Sequence, residues 1–283
     1  MDILDKVSLK NYTTIRIGGK SSKIYFPENL EDLDQLKSQV SQKKTIILGN
    51  GSNIAFKDSG YKSSIISLKH FKKPIRCIDD FQLNSIAGVS CARFAKFCFK
   101  NKIPGFEFLH GIPGSLGGAA AMNAGAFDDQ IWNHIDSVRC ILHNGTIATC
   151  KSNNVKTSYR YVDKSDIKIF LDLTFNINKS LKFNKQLLSK YSLKRSVTQP
   201  IRQWSSGCIF KNPSIKISAS SLIDSARLAK TRVGGIYVSR KHCNYLINDG
   251  TGTCYDLEEL ILFIRKKIIT KYNITLDREI CIY

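Results

Sequence analysis

A glycine-rich stretch, residues 111–127, is the first candidate for chemistry in this chain. It begins Gly-Ile-Pro-Gly-Ser-Leu-Gly-Gly and continues with mostly small side chains to Ala126. Glycine permits positive φ and lets a ligand approach the main chain closely. Successive N–H groups in such a loop can form an anion-binding concavity. We therefore predict that a cofactor diphosphate lies against this loop, with a turn that merely packs tightly as the alternative interpretation.

A second glycine turn, Gly49-Asn-Gly-Ser-Asn53, directly follows the β-branched stretch at 44–48, which is predicted to be a strand. It lacks the third glycine of the dinucleotide fingerprint, and no amphipathic helix follows it, so it is not a Rossmann motif. It still suits an anion site at the end of a strand, although an ordinary Asn-Gly turn is the alternative. Two such turns without a Walker lysine favour a dinucleotide over a transferable γ-phosphate.

The two glycine stretches together supply the predicted cofactor contacts. Their common features are small side chains, main-chain N–H groups and short polar groups, which admit a flat anionic ligand. The residues are Gly49, Asn50, Gly51, Ser52, Asn53, Gly111, Ile112, Pro113, Gly114, Ser115, Gly118, Ala119, Asn123, Ala124 and Gly125.

Composition bounds the class of protein. The 283 residues suffice for about two domains, and 42% hydrophobic with 10% aromatic residues is typical of a globular chain. No apolar run reaches the ~18–20 residues of a membrane span, and the first residues do not resemble a secretory signal. We expect a cytoplasmic protein with no membrane partner.

Cysteines and charge narrow the possibilities further. The nine cysteines form no Cys-x-x-Cys pair, so we expect no metal site and interpret most of them as small buried side chains. The net charge of +20 invites a nucleic-acid interpretation. However, the lysines are spread along the chain without a binding motif, so we expect no nucleic-acid partner. A positive field equally suits polyanionic small ligands.

The elements that must position the glycine turns follow an α+β pattern. Residues 11–27 alternate and break at two glycines, which predicts two short strands. Helices are predicted over 29–41, 90–100, 220–228 and along an apolar face from Leu257 to Ile268. Further strands are predicted at 44–48, 64–68, 75–78, 84–88, 167–175, 244–247 and 275–283, with a hairpin over 135–150.

The amino-acid composition of the sequence changes near residue 180. The lysine-rich stretch 179–195 has the pattern of a polar helix and is interpreted as a linker and domain boundary. We therefore predict a cofactor-binding region over 1–180, with lobes of about 1–70 and 71–180. A second domain is predicted over 181–283, with its last strand returning to the active site.

Six motifs in order carry a family resemblance. They are Leu-Gly-Asn-Gly-Ser-Asn at 48–53, Gly-Ile-Pro-Gly-Ser-Leu-Gly-Gly at 111–118, Met-Asn-Ala-Gly-Ala at 122–126, Ser-Tyr-Arg at 158–160, Gly-Cys-Ile-Phe-Lys-Asn-Pro at 207–213 and Leu-Asp-Arg-Glu-Ile at 276–280. The chain closely resembles the UDP-N-acetylenolpyruvoylglucosamine reductase family over nearly its whole length. The short connection from 160 to 207 resembles the compact subclass, which lacks an inserted substrate-capping loop.

The resemblance implies the fold and the reaction. It implies an FAD-binding domain of the vanillyl-alcohol-oxidase type, followed by a smaller α+β substrate-binding domain, with the flavin ring facing the cleft between them. It also implies non-covalent FAD and NADPH as hydride donor. The substrate would be UDP-N-acetylglucosamine enolpyruvate, reduced to UDP-N-acetylmuramate for peptidoglycan synthesis. We expect a monomer.

The resemblance also implies the catalytic residues. Arg160 would bind the substrate carboxylate through its planar guanidinium. Glu279 would hold or polarise that carboxylate, chosen over Asp277 by motif register. The family's general acid is usually a serine, and Cys208 stands in that position. A thiol is a much stronger acid than an alcohol, so the role is compatible with cysteine; a packing role for Cys208, with water as the acid, is the alternative.

Substrate contacts are implied by the same matches. The residues are Tyr159, Lys211, Asn212 and His242, the last with a surface or packing role as the alternative. A family lysine near the phosphates is displaced, with Ala229 in its place; Lys230 or Arg232 is the expected substitute. The alternative function is another FAD-linked oxidoreductase of the same fold, which would explain the glycine turns but not the combined motifs.

Overall fold

The structure is a computed structural model that describes residues 1–71 and 75–283. The helices within those residues are α1 Leu30–Gln35, α2 Lys37–Ser41, α3 Cys91–Lys100, α4 Leu116–Ala121, α5 Leu187–Thr198, α6 Ala219–Ser225 and α7 Cys254–Tyr272. The strands are β1 Asp2–Asp5, β2 Ser21–Phe26, β3 Ile46–Ile47, β4 Ile54–Ala55, β5 Tyr61–Ile66, β6 Arg76–Cys77, β7 Gln82–Ile86, β8 Gly125–Ala126, β9 Asp129–Gln130, β10 Ile135–Leu142, β11 Ile147–Lys151, β12 Thr157–Ser158, β13 Tyr161–Val162, β14 Ile167–Asn176, β15 Arg232–Val233, β16 Ile236–Val238, β17 Leu246–Asn248 and β18 Cys281–Ile282.

The chain forms two compact units that are each discontinuous in sequence. Unit 1 comprises residues 1–4, 23–50 and 63–195, and unit 2 comprises 5–22, 51–62 and 196–283. The sequence interpretation assigned all of 1–180 to one region, whereas two early segments here join the C-terminal unit. The second glycine turn is divided, because residues 49–50 lie in unit 1 and 51–53 in unit 2.

Unit 1 is built on an antiparallel five-stranded sheet. Its order is β11-β10-β14-β7-β6. Helix α3 begins at Ser90, whose side chain accepts from the N–H of Arg93, and buries Cys91, Phe94, Ala95 and Cys98 in the unit's core. The side-chain cap and the i, i+3, i+4, i+7 spacing explain why this helix was predictable.

Unit 2 has its own hydrophobic core. A three-stranded sheet, β15-β16-β17, lies in this unit, and helix α7 buries the face from Leu257 to Ile268 predicted from the sequence. Thr253 and Asp256 form a capping box at the start of α7, which satisfies two helix N–H groups. Strand β18 pairs in parallel with β4, directly after the glycine turn.

Several sequence predictions of elements differ from the structure, among them the strand over 275–283, which is reduced to Cys281–Ile282. Residues 11–17 form no strand, although Ile15 and Ile17 are fully buried. The Thr13 hydroxyl accepts from the Ile17 N–H at 3.2 Å, so a side chain closes a loop where we expected a ladder of main-chain bonds. The predicted helix over 29–41 is broken at Leu36 into α1 and α2.

Candidate active site

The main chain of the glycine-rich loop is largely used within unit 1. The N–H groups of Leu116 and Gly117 each donate at 2.8 Å, to the carbonyls of Val89 and Ala87 respectively. The N–H of Gly118 donates to the Ser115 hydroxyl at 3.2 Å, which caps helix α4. These N–H groups therefore serve the tight packing given above as the alternative interpretation, and a cofactor would rely more on the side chains and small residues of this loop.

The two glycine stretches meet at Gly49 and Ser115. A Cβ atom added to Gly49 would lie 2.5 Å from the Ser115 hydroxyl oxygen, so a side chain at 49 would displace that hydroxyl from its place at the start of α4. Gly51 has φ of 66°, and a Cβ there would collide with the Tyr12 carbonyl oxygen. Gly51 therefore requires glycine through both its main-chain conformation and its close main-chain contact.

Asn123 provides the most informative polar group of the loop. It is fully buried, and its Nδ2 donates to Gln130 Oε1 at 3.0 Å and to the Ser158 carbonyl at 2.9 Å. Its Oδ1 is buried without a hydrogen-bond partner among the described residues. A buried unsatisfied carbonyl costs about 1–3 kcal/mol, so this oxygen fits a donor group of a bound ligand.

Arg160 is held directly against the same loop. It lies in the tight turn between β12 and β13, with φ of 54°. Its Nη1 donates to the Asn123 carbonyl at 3.2 Å and its Nη2 to the Gly125 carbonyl at 3.1 Å. The guanidinium also lies 5.3 Å from the ring centre of half-exposed Tyr159. Unit 1 thus unites the predicted cofactor loop with the predicted carboxylate-binding arginine.

In unit 2, the segments that carry Cys208 and Glu279 are hydrogen-bonded neighbours. The Glu279 N–H donates to the Ile209 carbonyl at 2.7 Å. On the other side, Asn53 Nδ2 donates to the Glu279 carbonyl at 3.1 Å, and the Cys281 N–H donates to the Asn53 carbonyl at 3.0 Å. Three residues that sequence reasoning selected from distant motifs are therefore assembled by adjacent main-chain segments.

Glu279 and Asp277 differ in their surroundings. Glu279 is partly buried, whereas Asp277 is exposed. The Asp277 carbonyl accepts from the N–H of Lys211 at 2.8 Å, which brings the predicted substrate-binding lysine into the same pair of segments. Glu279 is therefore the more enclosed of the two carboxyl groups.

The opposite side of the Cys208 segment is fixed by a residue that sequence reasoning missed. Buried Asn244 accepts from the Phe210 N–H at 3.0 Å and donates to the Phe210 carbonyl at 2.8 Å. Cys208 is partly exposed, and its main chain pairs with that of Tyr245 in an isolated antiparallel β-bridge. The His242 ring lies 4.8 Å from the Tyr245 ring, so the predicted substrate contact His242 belongs to this cluster. Asn244 lies in the turn before β17, inside the stretch 244–247 that was predicted as a strand.

The remaining predicted contacts have structural partners. Asn212 is exposed, and its Oδ1 accepts from the Ala219 N–H at 3.1 Å near the start of α6. Arg232 forms an ion pair with Asp249, and this pair holds the pKa of Asp249 at about 2. Among the candidates for the displaced family lysine, Arg232 is therefore engaged in a local ion pair.

Ser206 was also missed by sequence reasoning. It is 3% exposed, and its hydroxyl has no hydrogen-bond partner among the described residues. The preceding residue is fixed, because Thr14 donates to the Ser205 carbonyl at 2.7 Å. Ser206 lies two residues before Cys208, so a buried polar group without a partner adjoins the predicted general acid.

Helix α5 packs on the glycine-rich loop of unit 1, although its sequence was interpreted as a linker. Tyr191 stacks on Phe127, with ring centres 3.8 Å apart and 6° between planes. The Ser192 hydroxyl lies 2.9 Å from His110 Nδ1, and the Arg195 side chain covers Gly111 so closely that a Cβ could not fit. Burial, and then the charges of Lys96 and Arg195, lower the pKa of His110.

Two negative observations apply to the described residues. Among residues 1–71 and 75–283, no helix combines the length and hydrophobicity that a membrane span requires. Within the same ranges, no group of three or more His, Cys, Asp or Glu side chains has the arrangement of a metal site.

Comparisons with known proteins match both ends of the chain. Residues 22–151 match the FAD binding domain model, and residues 199–283 match the model of the UDP-N-acetylenolpyruvoylglucosamine reductase C-terminal domain. The reductase of that name from Rickettsia canadensis is 37% identical over 277 residues, covering 96% of this chain and 93% of the relative. The one from Legionella pneumophila strain Corby is 34% identical, covering 96% and 89%.

A solved structure supports the same fold. The crystal structure of the UDP-N-acetylenolpyruvylglucosamine reductase from Thermus caldophilus superposes with a TM-score of 0.80, covering 100% of this chain and 98% of that one. At 24% identity, this structural similarity is evidence for the fold alone. Together with the FAD-binding match, it confirms the predicted α+β architecture with an FAD-binding domain.

Proposed function

Because this chain belongs to the UDP-N-acetylenolpyruvoylglucosamine reductase family, we propose that it reduces the enolpyruvyl group of UDP-N-acetylglucosamine enolpyruvate to the lactyl ether of UDP-N-acetylmuramate. NADPH is the hydride donor in this proposal, and FAD is bound non-covalently. The enzyme then works in the cytoplasm, as a monomer, on a precursor of peptidoglycan, and thereby contributes to cell shape and division.

The residues of unit 1 support the FAD assignment. Bound FAD supplies the hydride chemistry that side chains lack. Asn123 Oδ1 offers a buried acceptor, and Gly49 adds no side chain beside Ser115. The groups present therefore fit FAD.

The adjoining Cys208 and Glu279 segments carry the reaction proposal. Reduction of the enolpyruvyl double bond adds a hydride to one carbon and a proton to the next, so a proton donor is required. Cys208 donates the proton from its thiol. Negative charge develops on the substrate carboxylate, which Arg160 stabilises and Glu279 helps to polarise. The 2.7 Å bond that joins the Glu279 and Ile209 main chains supports joint action.

Substrate-binding roles extend from these residues. The substrate-binding role of Tyr159 is supported by its position beside Arg160. The roles of Lys211 and His242 are supported by their places in the segments around Cys208. Asn212 follows from its place next to Lys211 in the same motif. These groups bind the sugar and diphosphate in the proposal, to which a net charge of +20 is electrostatically favourable.

The proposal is tested by the substrate dependence of NADPH oxidation. Purified protein with FAD is expected to oxidise NADPH anaerobically at one equivalent per UDP-N-acetylglucosamine enolpyruvate, with a product two mass units heavier than the substrate. UDP-N-acetylglucosamine is the matched control, since it lacks only the enolpyruvyl group. NADPH oxidation that does not respond to the enolpyruvyl nucleotide would contradict the proposal.

A further inference from the structure

A continuous chain of side-chain hydrogen bonds leads to Asn123 from the surface of unit 1. Asn133 Nδ2 donates to Asp129 Oδ1 at 3.0 Å, and Gln130 Nε2 donates to Asn133 Oδ1 at 3.3 Å. Asn123 Nδ2 then donates to Gln130 Oε1 at 3.0 Å and to the Ser158 carbonyl at 2.9 Å. Three amides are thus linked head to tail.

The direction of this chain is fixed at both ends. Asp129 accepts hydrogen bonds at one end, and the Ser158 main-chain carbonyl can only accept at the other. Asn133 must therefore turn its Nδ2 to Asp129 and its oxygen to Gln130. Gln130 in turn must present its own oxygen to Asn123.

Asp129 is held as the anion that this direction requires. His134 Nε2 lies 2.7 Å from Asp129 Oδ2. Burial alone would raise the pKa of Asp129, but the hydrogen bond and charge of His134, with bonds from Asn133 and the Gln130 N–H, outweigh it and lower the pKa. The carboxylate remains an acceptor at neutral pH.

The orientation of the linked amides determines where the side-chain oxygen of buried Asn123 points. With both Asn123 Nδ2 protons directed at Gln130 and Ser158, the Asn123 oxygen must point elsewhere, where it has no partner among the described residues. Asn123 also has φ of 44°, a left-handed conformation that asparagine tolerates. Its main-chain carbonyl receives Arg160, so the oxygen is fixed beside the proposed site.

We propose that Gln130 is a positioning residue that orients the Asn123 amide, so that Asn123 Oδ1 accepts a hydrogen bond from an N–H or O–H group of bound FAD. This inference rests on the proposed function only in taking FAD as the ligand. Gln130 contributes no contact to the cofactor and acts through Asn123. The head-to-tail amides make the acceptor ready before the ligand arrives, which reduces the cost of ordering on binding.

FAD affinity of Gln130 variants tests this assignment. Gln130→Met keeps the side-chain length but removes both hydrogen bonds, and is expected to raise the Kd for FAD about five- to tenfold, measured by quenching of flavin fluorescence. Gln130→Glu retains an acceptor for Asn123 Nδ2 and is expected to restore most of the affinity. Gln82→Met is the matched control, because Gln82 donates to Asn176 in the same unit. A shift of the visible flavin bands assigns the donor to the ring; unchanged bands assign it to another part of FAD.

A double-mutant cycle separates positioning from general destabilisation. Asn123→Gly tolerates the positive φ and removes the acceptor, so adding Gln130→Met to it is expected to change the Kd less than twofold. Equal FAD affinity of wild type and Gln130→Met, or a full additional loss in the double variant, would overturn this inference alone. Wild-type protein that binds no FAD would overturn the proposed function as well.

Discussion

At the residue scale, we expect different effects on the free energy of unfolding when the hydroxyls of two buried serines are removed. The Ser115 hydroxyl caps α4, so Ser115→Ala should lower the free energy of unfolding by about 1 kcal/mol. The Ser206 hydroxyl is buried without a partner, so Ser206→Ala should leave the free energy of unfolding unchanged or raise it by up to about 1 kcal/mol. Denaturant unfolding of the FAD-free protein measures both.

The comparison of the two serines is informative because both are 3% exposed and lose the same hydroxyl. Equal destabilisation by the two substitutions would mean that Ser206 has a partner within the protein. A tolerated Ser206→Ala that nevertheless weakens substrate binding would identify the hydroxyl as a ligand contact.

Residue types were predictable from the sequence where geometry leaves one choice. Gly51 is required by its positive φ and its close approach to the Tyr12 carbonyl, and the sequence pattern selected it. Asn244 and Gln130 could not be selected in this way, because a single amide in the sequence gives no sign of its partner. Their roles depend on contacts with residues up to 34 positions away, such as Phe210.

At the element scale, helix α5 stabilises the glycine-rich loop. A stacked aromatic pair contributes about 0.5–1.5 kcal/mol beyond its buried area, and Tyr191 on Phe127 is such a pair. Tyr191→Ala should therefore increase amide hydrogen exchange in residues 111–127 by about two- to tenfold. Tyr191→Phe should preserve the wild-type rate.

Leu193→Ala is the matched control for this prediction, since Leu193 is 65% exposed on the same helix. Faster exchange in Leu193→Ala would show that any weakening of α5 loosens the loop. An unchanged rate in Tyr191→Ala would contradict the role assigned to the stack.

Elements with an internal signal were predicted well. Helices α3 and α7 have side-chain caps and a continuous buried face, and the β10–β11 hairpin has its Asn-Gly turn. The strand prediction for residues 11–17 failed because their alternating apolar side chains are buried without main-chain pairing to another strand. Helix α5 has no fully buried residue, so the sequence contained no periodic signal that it packs on the loop through Tyr191, Ser192 and Arg195.

At the scale of the whole molecule, each compact unit contains segments that are far apart in the sequence. Residues 5–22 and 51–62 join the C-terminal unit, which no local change of composition indicated. Family membership was nevertheless evident from six ordered motifs, since these depend on the whole reaction and not on local folding. The positive net charge favours polyanionic ligands, and the proposed cofactor and substrate both carry a diphosphate.

The central claim is that the Cys208 thiol donates the proton that completes reduction of the enolpyruvyl group. Anaerobic stopped-flow measurement of the two half-reactions tests it most directly, with Cys208→Ala, Cys208→Ser and, as control, the exposed Cys77→Ala. Flavin reduction by NADPH is expected to be unchanged in all three variants. Reoxidation by the enolpyruvyl nucleotide should slow by about 10²–10⁴-fold in Cys208→Ala, less in Cys208→Ser, and not in Cys77→Ala. Equal slowing of both half-reactions in Cys208→Ala, or no slowing of either, would contradict it.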